Sequence, residues 1–112
     1  MKRYCFALDL FDDPEAISEY ETHHKAVWPE ILQSLRDSGI KSMQIYRVSN
    51  RLFMVMDACD DFDLAAKRET DSADPIVQEW EALMWKYQKA LPTATPGEKW
   101  VQMQSVFNFT AD

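Results

Sequence analysis

The sequence predicts an α+β fold of the ferredoxin-like split βαβ type, in one domain spanning residues 1–112. Three observations lead there. Strand and helix periods follow one another as β, α, β, β, α, β, both helical halves open on an Asp-Pro pair, and only Ser49-Asn50-Arg51 separates the two central strand-like runs. That order lays both helical segments on one face of a single sheet.

The first strand, about residues 3–10, alternates Tyr4, Phe6, Leu8 and Leu10 with Cys5, Ala7 and Asp9. Asp13-Pro14 then starts a helix: the carboxylate caps orphan amides, and proline presets the first helical φ. The apolar stripe of this helix is Ile17, Tyr20, His24, Val27/Trp28, Ile31 and Leu35. Pro29 lacks an N–H and clashes one turn back, which predicts a kink or restart near Trp28. Gly39 stops the helix, and residues 42–48 form a second, more weakly alternating strand that pairs as a hairpin with residues 52–58. Helical spacing returns around Phe62, Ala65 and Ala66, and Asp74-Pro75 opens the last helix, with the stripe Ile76, Trp80, Leu83/Met84, Tyr87 and Leu91. After the linker Pro92–Gly97, residues 100–109 put Val101, Met103, Phe107 and Phe109 in a fourth strand. The sheet face away from the helices needs a cover, so a homodimer packed sheet to sheet is expected.

Composition removes several functions. With 12 Lys+Arg against 19 Asp+Glu the net charge is −7, which repels phosphate backbones and anionic membranes, so neither nucleic acid nor a membrane is an expected partner. The two glycines, Gly39 and Gly97, cannot write a dinucleotide fingerprint or a phosphate loop. At 46% hydrophobic residues, folding can bury roughly two-thirds of the unfolded surface, down to about 6,400 Å². The opening MKRYCFALDL is short in apolar length and soon acidic, unlike a signal peptide, and no run is long enough to span a bilayer. A cytoplasmic protein with Cys5 and Cys59 as reduced thiols is expected.

Chemistry is sought where polar groups interrupt apolar stripes. Tyr20 and His24 stand one turn apart on the inward face, with His23 about 100° away. Such a histidine can exchange protons near neutral pH beside an orienting tyrosine, or simply be a hydrogen-bonded core residue next to a packing aromatic; spacing alone favours packing. Trp80, Trp85 and Tyr87 offer the same choice between stacking on a sugar face and anchoring the core. His23 and His24 diverge and belong to no metal-binding pattern, and the acidic run Asp57, Asp60, Asp61, Asp63 lacks a calcium loop's glycine turn; no metal is expected.

The segment Glu19-Tyr20-Glu21-Thr22-His23-His24, followed by Val27-Trp28-Pro29-Glu30, resembles the EYxxxH…xWPE signature of the L-rhamnose mutarotase family. Gly39, Ile45-Tyr46, Met56-Asp57, Gln78-Glu79-Trp80 and Gln104-Ser105-Val106-Phe107 follow in family order, so the resemblance covers nearly the whole chain. It implies a dimeric α/β barrel and a cofactor-free isomerase, a mutarotase (aldose 1-epimerase) that interconverts the α and β anomers of a 6-deoxy-L-hexose monosaccharide. It further implies His24 as catalytic acid/base, Tyr20 as a substrate-binding tyrosine and Trp80 as the first of two substrate-binding tryptophans. Two positions depart: Met43 replaces another substrate-binding tyrosine, and Glu81 replaces the second tryptophan. A lost hydroxyl donor and a gained carboxylate change which sugar hydroxyls are satisfied, which ranks L-fucose ahead of L-rhamnose. The competing expectations are a non-catalytic small-ligand module and a cofactor-free oxygenase or other isomerase on the same barrel.

Overall fold

The computed structural model describes residues 1–111. The first strand, β1 (Lys2–Leu10), buries Phe6, Leu8 and Leu10 on one face, as its alternation requires. Helices α1 (Pro14–His23) and α2 (Pro29–Asp37) follow, then the hairpin β2 (Ile40–Val48) and β3 (Arg51–Ala58), helices α3 (Leu64–Ala73) and α4 (Pro75–Trp85), and two short strands, β4 (Gln88–Lys89) and β5 (Val101–Gln102). The sheet runs β2-β3-β1-β4, all antiparallel, and β5 also pairs with β1. This is the α+β arrangement expected, with each half's helix divided in two.

Local chemistry divides them. Asp13 accepts from the Glu15 amide at 3.3 Å and Pro14 opens α1; Pro29 cannot donate to the preceding turn, so the chain unwinds over residues 24–28 and restarts as α2. Asp63 caps α3 at Ala65 and Ala66, and Asp74 caps α4 at Ile76 and Val77. One cluster packs Leu10 and Leu52 against Tyr20 and Ile31 from the first helical half and Val77, Trp80 and Met84 from the second; another gathers Phe6, Met54, Met56, Ala58 and Phe62. On the opposite sheet face Arg3 pairs with Asp57 and Arg51 with Asp9, both at 2.8 Å.

Two expectations need correction. The last helix ends at Trp85, so Tyr87 and Leu91 are not part of it: Tyr87 N–H closes a turn on the Met84 carbonyl, and the next two residues pair with Asp9 and Leu10 as β4. The fourth strand does not run through residues 100–109. Only Val101 and Gln102 pair with β1, Met103 N–H adds one bond to the Cys5 carbonyl, and Val106, Phe107 and Phe109 stand exposed. Alternation here marks an extended chain, but an extended chain becomes a strand only where a neighbour offers an edge. Among the described residues no helix is long and apolar enough to cross a membrane.

Candidate active site

Helix α1, the 24–28 segment, β2, α4 and the β5 approach enclose a cavity of about 490 Å³ on the helix-covered side of the sheet. Tyr20, His24, Met43, Trp80 and Glu81 all line it. Five positions from three separate elements thus converge, which the sequence pattern by itself does not establish. A larger hollow of about 690 Å³ adjoins it and shares Met43, Met54, Glu81, Lys99 and Trp100, but neither Tyr20, His24 nor Trp80 faces it. Of the two, only the smaller is lined by all five residues.

His24 sits where α1 ends. Its Nδ1 is 2.9 Å from the Tyr20 carbonyl, and because a carbonyl only accepts, Nδ1 donates and Nε2 keeps its lone pair. Burial pushes the imidazole below its ordinary pKa; the Tyr20 carbonyl works the other way, and the neighbouring His23 adds to the lowering. The ring is therefore held neutral at physiological pH. His23 points elsewhere, with its Nε2 3.2 Å from the Tyr87 hydroxyl.

Aromatic walls surround that base. The His24 and Tyr20 rings lie 4.3 Å apart between centroids, Trp80 meets His24 edge-on at 5.6 Å, and Trp28 meets Trp80 edge-on at 5.1 Å. Tyr20 is almost wholly buried, and burial pushes its phenol up to about 12, so it remains a hydroxyl donor at any pH near neutrality. Met43 brings a thioether to the lining, with no hydroxyl to donate or accept. The Glu81 carboxylate accepts from Gln78 Nε2 at 3.2 Å, which holds it on the α4 side of the cavity. Lys67 is bound to Asp71 at 2.6 Å and donates to Ser34 at 3.0 Å, so its charge is answered locally.

Several lining residues escape sequence reasoning. Trp100 belongs to the candidate fourth strand, with no local mark of a site. Lys99 donates to the Glu81 carbonyl at 2.7 Å, lies 5.0 Å over the Trp85 ring, and is brought down to about 8 by burial. Gln88 lies on β4, where helical periodicity hides it; it is 4% exposed and lines the cavity. Among the described residues its Oε1 is the one buried side-chain nitrogen or oxygen without a partner. Among these residues, too, no three His, Cys, Asp or Glu side chains gather as metal ligands.

A neutral imidazole with one nitrogen fixed, a protonated phenol and two indoles suit a small polyhydroxylated ligand: aromatic faces meet C–H surfaces while a few polar groups read hydroxyls. Comparison with known proteins agrees. The statistical model of the L-rhamnose mutarotase family matches residues 3–109. The L-fucose mutarotase of Xanthomonas campestris pv. campestris is 48% identical over 109 residues, covering 96% of this chain and 87% of that protein. The L-rhamnose mutarotase of Phocaeicola vulgatus is 34% identical over 98 residues, 86% of this chain and 85% of the other. Among solved structures, an L-rhamnose mutarotase from Formosa agariphila superposes with a TM-score of 0.73 at 21% identity, covering 98% of this chain and all of the other. The tetracenomycin F2 cyclase of Streptomyces glaucescens shares the fold at a TM-score of 0.62 and 18% identity over the full length of both chains.

Proposed function

The chain belongs to the L-rhamnose mutarotase family, and from that premise we propose that it is an isomerase interconverting the α and β anomers of L-fucose, with L-rhamnose as the weaker substrate. The observation that carries this reading is His24: Nδ1 is tied to the Tyr20 carbonyl, the ring is kept neutral, and it stands among Tyr20 and Trp80 on a sugar-sized cavity.

Ring opening needs a proton removed from the anomeric hydroxyl and one delivered to the ring oxygen. The free Nε2 of His24 takes the O1 proton as the C1–ring-oxygen bond breaks, and the imidazolium so formed returns a proton to the ring oxygen, which leaves the open-chain aldehyde. Rotation about C1–C2 presents the other carbonyl face, and the same steps in reverse close the ring. Tyr20 donates to a sugar oxygen, Trp80 covers the apolar sugar face, and Met43 and Glu81 shape selectivity. One positioned acid/base supplies about 10²–10⁴-fold, sufficient for a reaction that water alone already permits.

L-Fucose is placed first because identity is higher to the relative of that name, 48% against 34%, and because Met43 and Glu81 depart from the rhamnose pattern. Two unpaired thiols, Cys5 and Cys59, suit a reducing cytoplasm. The working form is a homodimer, supported by an accessible surface of 7707 Å², well above the roughly 6,400 Å² of a compact chain this size.

Magnetisation exchange between the α and β anomeric proton signals tests the assignment. Wild type should accelerate exchange of L-fucose, and of L-rhamnose less. A folded His24→Ala variant should lose that acceleration. Absence of acceleration by wild type on both sugars sinks the mutarotase reading, and full activity in His24→Ala sinks the residue's role.

A further inference from the structure

We propose that Gln88 is a substrate-binding residue whose Oε1 accepts a hydrogen bond from one sugar hydroxyl. The inference rests on the mutarotase reading above and adds a specificity residue to it.

The observations are independent of family pattern. Gln88 is 4% exposed, yet its Oε1 meets no partner, a costly arrangement because a buried carbonyl without a hydrogen bond forfeits its solvation. The residue lines the cavity that holds His24 and Trp80. Its position is rigid: β4 pairs Gln88 with Leu10, and the adjoining Phe11 N–H donates to the Tyr87 carbonyl at 2.9 Å.

The buried Oε1 is an acceptor left open in the cavity lining. A sugar hydroxyl placed against it donates the missing hydrogen bond. An ether, fluorine or hydrogen at that carbon does not. A site that leaves a buried polar group unpaired discriminates strongly against the analogue that fails to pair it.

The test uses whichever of L-fucose and L-rhamnose is turned over, together with its monodeoxyfluoro analogues at C2, C3 and C4, which keep a small polar substituent but donate no hydrogen bond. Wild type should lose about tenfold or more in kcat/KM on one analogue relative to the other two. Gln88→Met, close in shape but without the acceptor, should lose about tenfold on the parent sugar, chiefly through KM, and no longer single out that analogue. A variant uniformly weakened on every sugar, or a wild type that treats the three analogues alike, overturns the proposal. The wild-type arm decides even if Gln88→Met fails to fold. Failure of wild type to exchange either parent sugar overturns the mutarotase reading itself and is distinct from both results.

Discussion

At the scale of the residue, the state of His24 sets a sign that can be measured. Burial lowers its pKa in the folded chain below the ordinary 6.5, so the neutral base is present throughout the neutral range. The acid limb of kcat/KM should therefore fall below pH 6.5, with a plateau from there to about pH 8; an acid limb at or above 6.5 would contradict the assignment of His24 as the base. Stability follows the same linkage. Between the unfolded and the lower folded pKa the unfolded chain binds the proton more readily, so stability contributed above pH 6.5 is lost as pH falls through the folded value. Denaturant titrations from pH 7 to pH 5 should show that decline in wild type and a shallower one in His24→Asn. Tyr20, His24, Met43, Trp80 and Glu81 were legible in the sequence as candidates, and all five line one cavity. Gln88 was not, because its place depends on where α4 stops and β1 offers an edge, and neither is a local property.

At the scale of the element, starts were legible and ends were not. Asp-Pro pairs announced α1 and α4 because capping acts within three residues. The last helix was extended through Leu91 because apolar spacing outlasts the hydrogen-bond ladder, and the C-terminal strand was overdrawn because alternation says nothing of pairing. Gly39 is the stop that worked, and its reason can be tested. It leaves α2 with φ +87°, and a Cβ added there would stand 2.5 Å from Cys59 Sγ. The contact is built in, since Cys59 N–H donates to the Gly39 carbonyl at 2.9 Å and closes the α2 exit onto the end of β3. Gly39→Ala should cost about 2 kcal/mol or more, part from the left-handed backbone and part from the sulfur. Combining it with Cys59→Ala removes only the second part. Thermal melts of the two single variants and the double should thus be non-additive, with the double more stable than the sum; additivity would mean that the sulfur yields freely.

At the scale of the whole molecule, the surface is too large for the mass and its excess is apolar. The chain exposes 7707 Å², roughly 1,300 Å² above the compact expectation. Its radius of gyration is 14.6 Å against about 13 Å for a compact domain of this length. The excess has an address: Val106, Phe107 and Phe109 are 96%, 82% and 74% exposed, and Tyr46 and Val48 on β2 are 58% and 73% exposed. Large apolar side chains left in water at this density need a partner. Two chains each hiding that excess would bury about 2,600 Å² between them, in the range of obligate homodimers. Sedimentation equilibrium should therefore find twice the chain mass at micromolar concentration. Replacing Phe107 and Phe109 together by Asp should give a monomer whose melting temperature no longer rises with protein concentration, because dissociation would no longer be coupled to unfolding. A wild-type monomer at those concentrations would contradict the dimer, and an unchanged dimer in the double variant would place the interface elsewhere than on the tail.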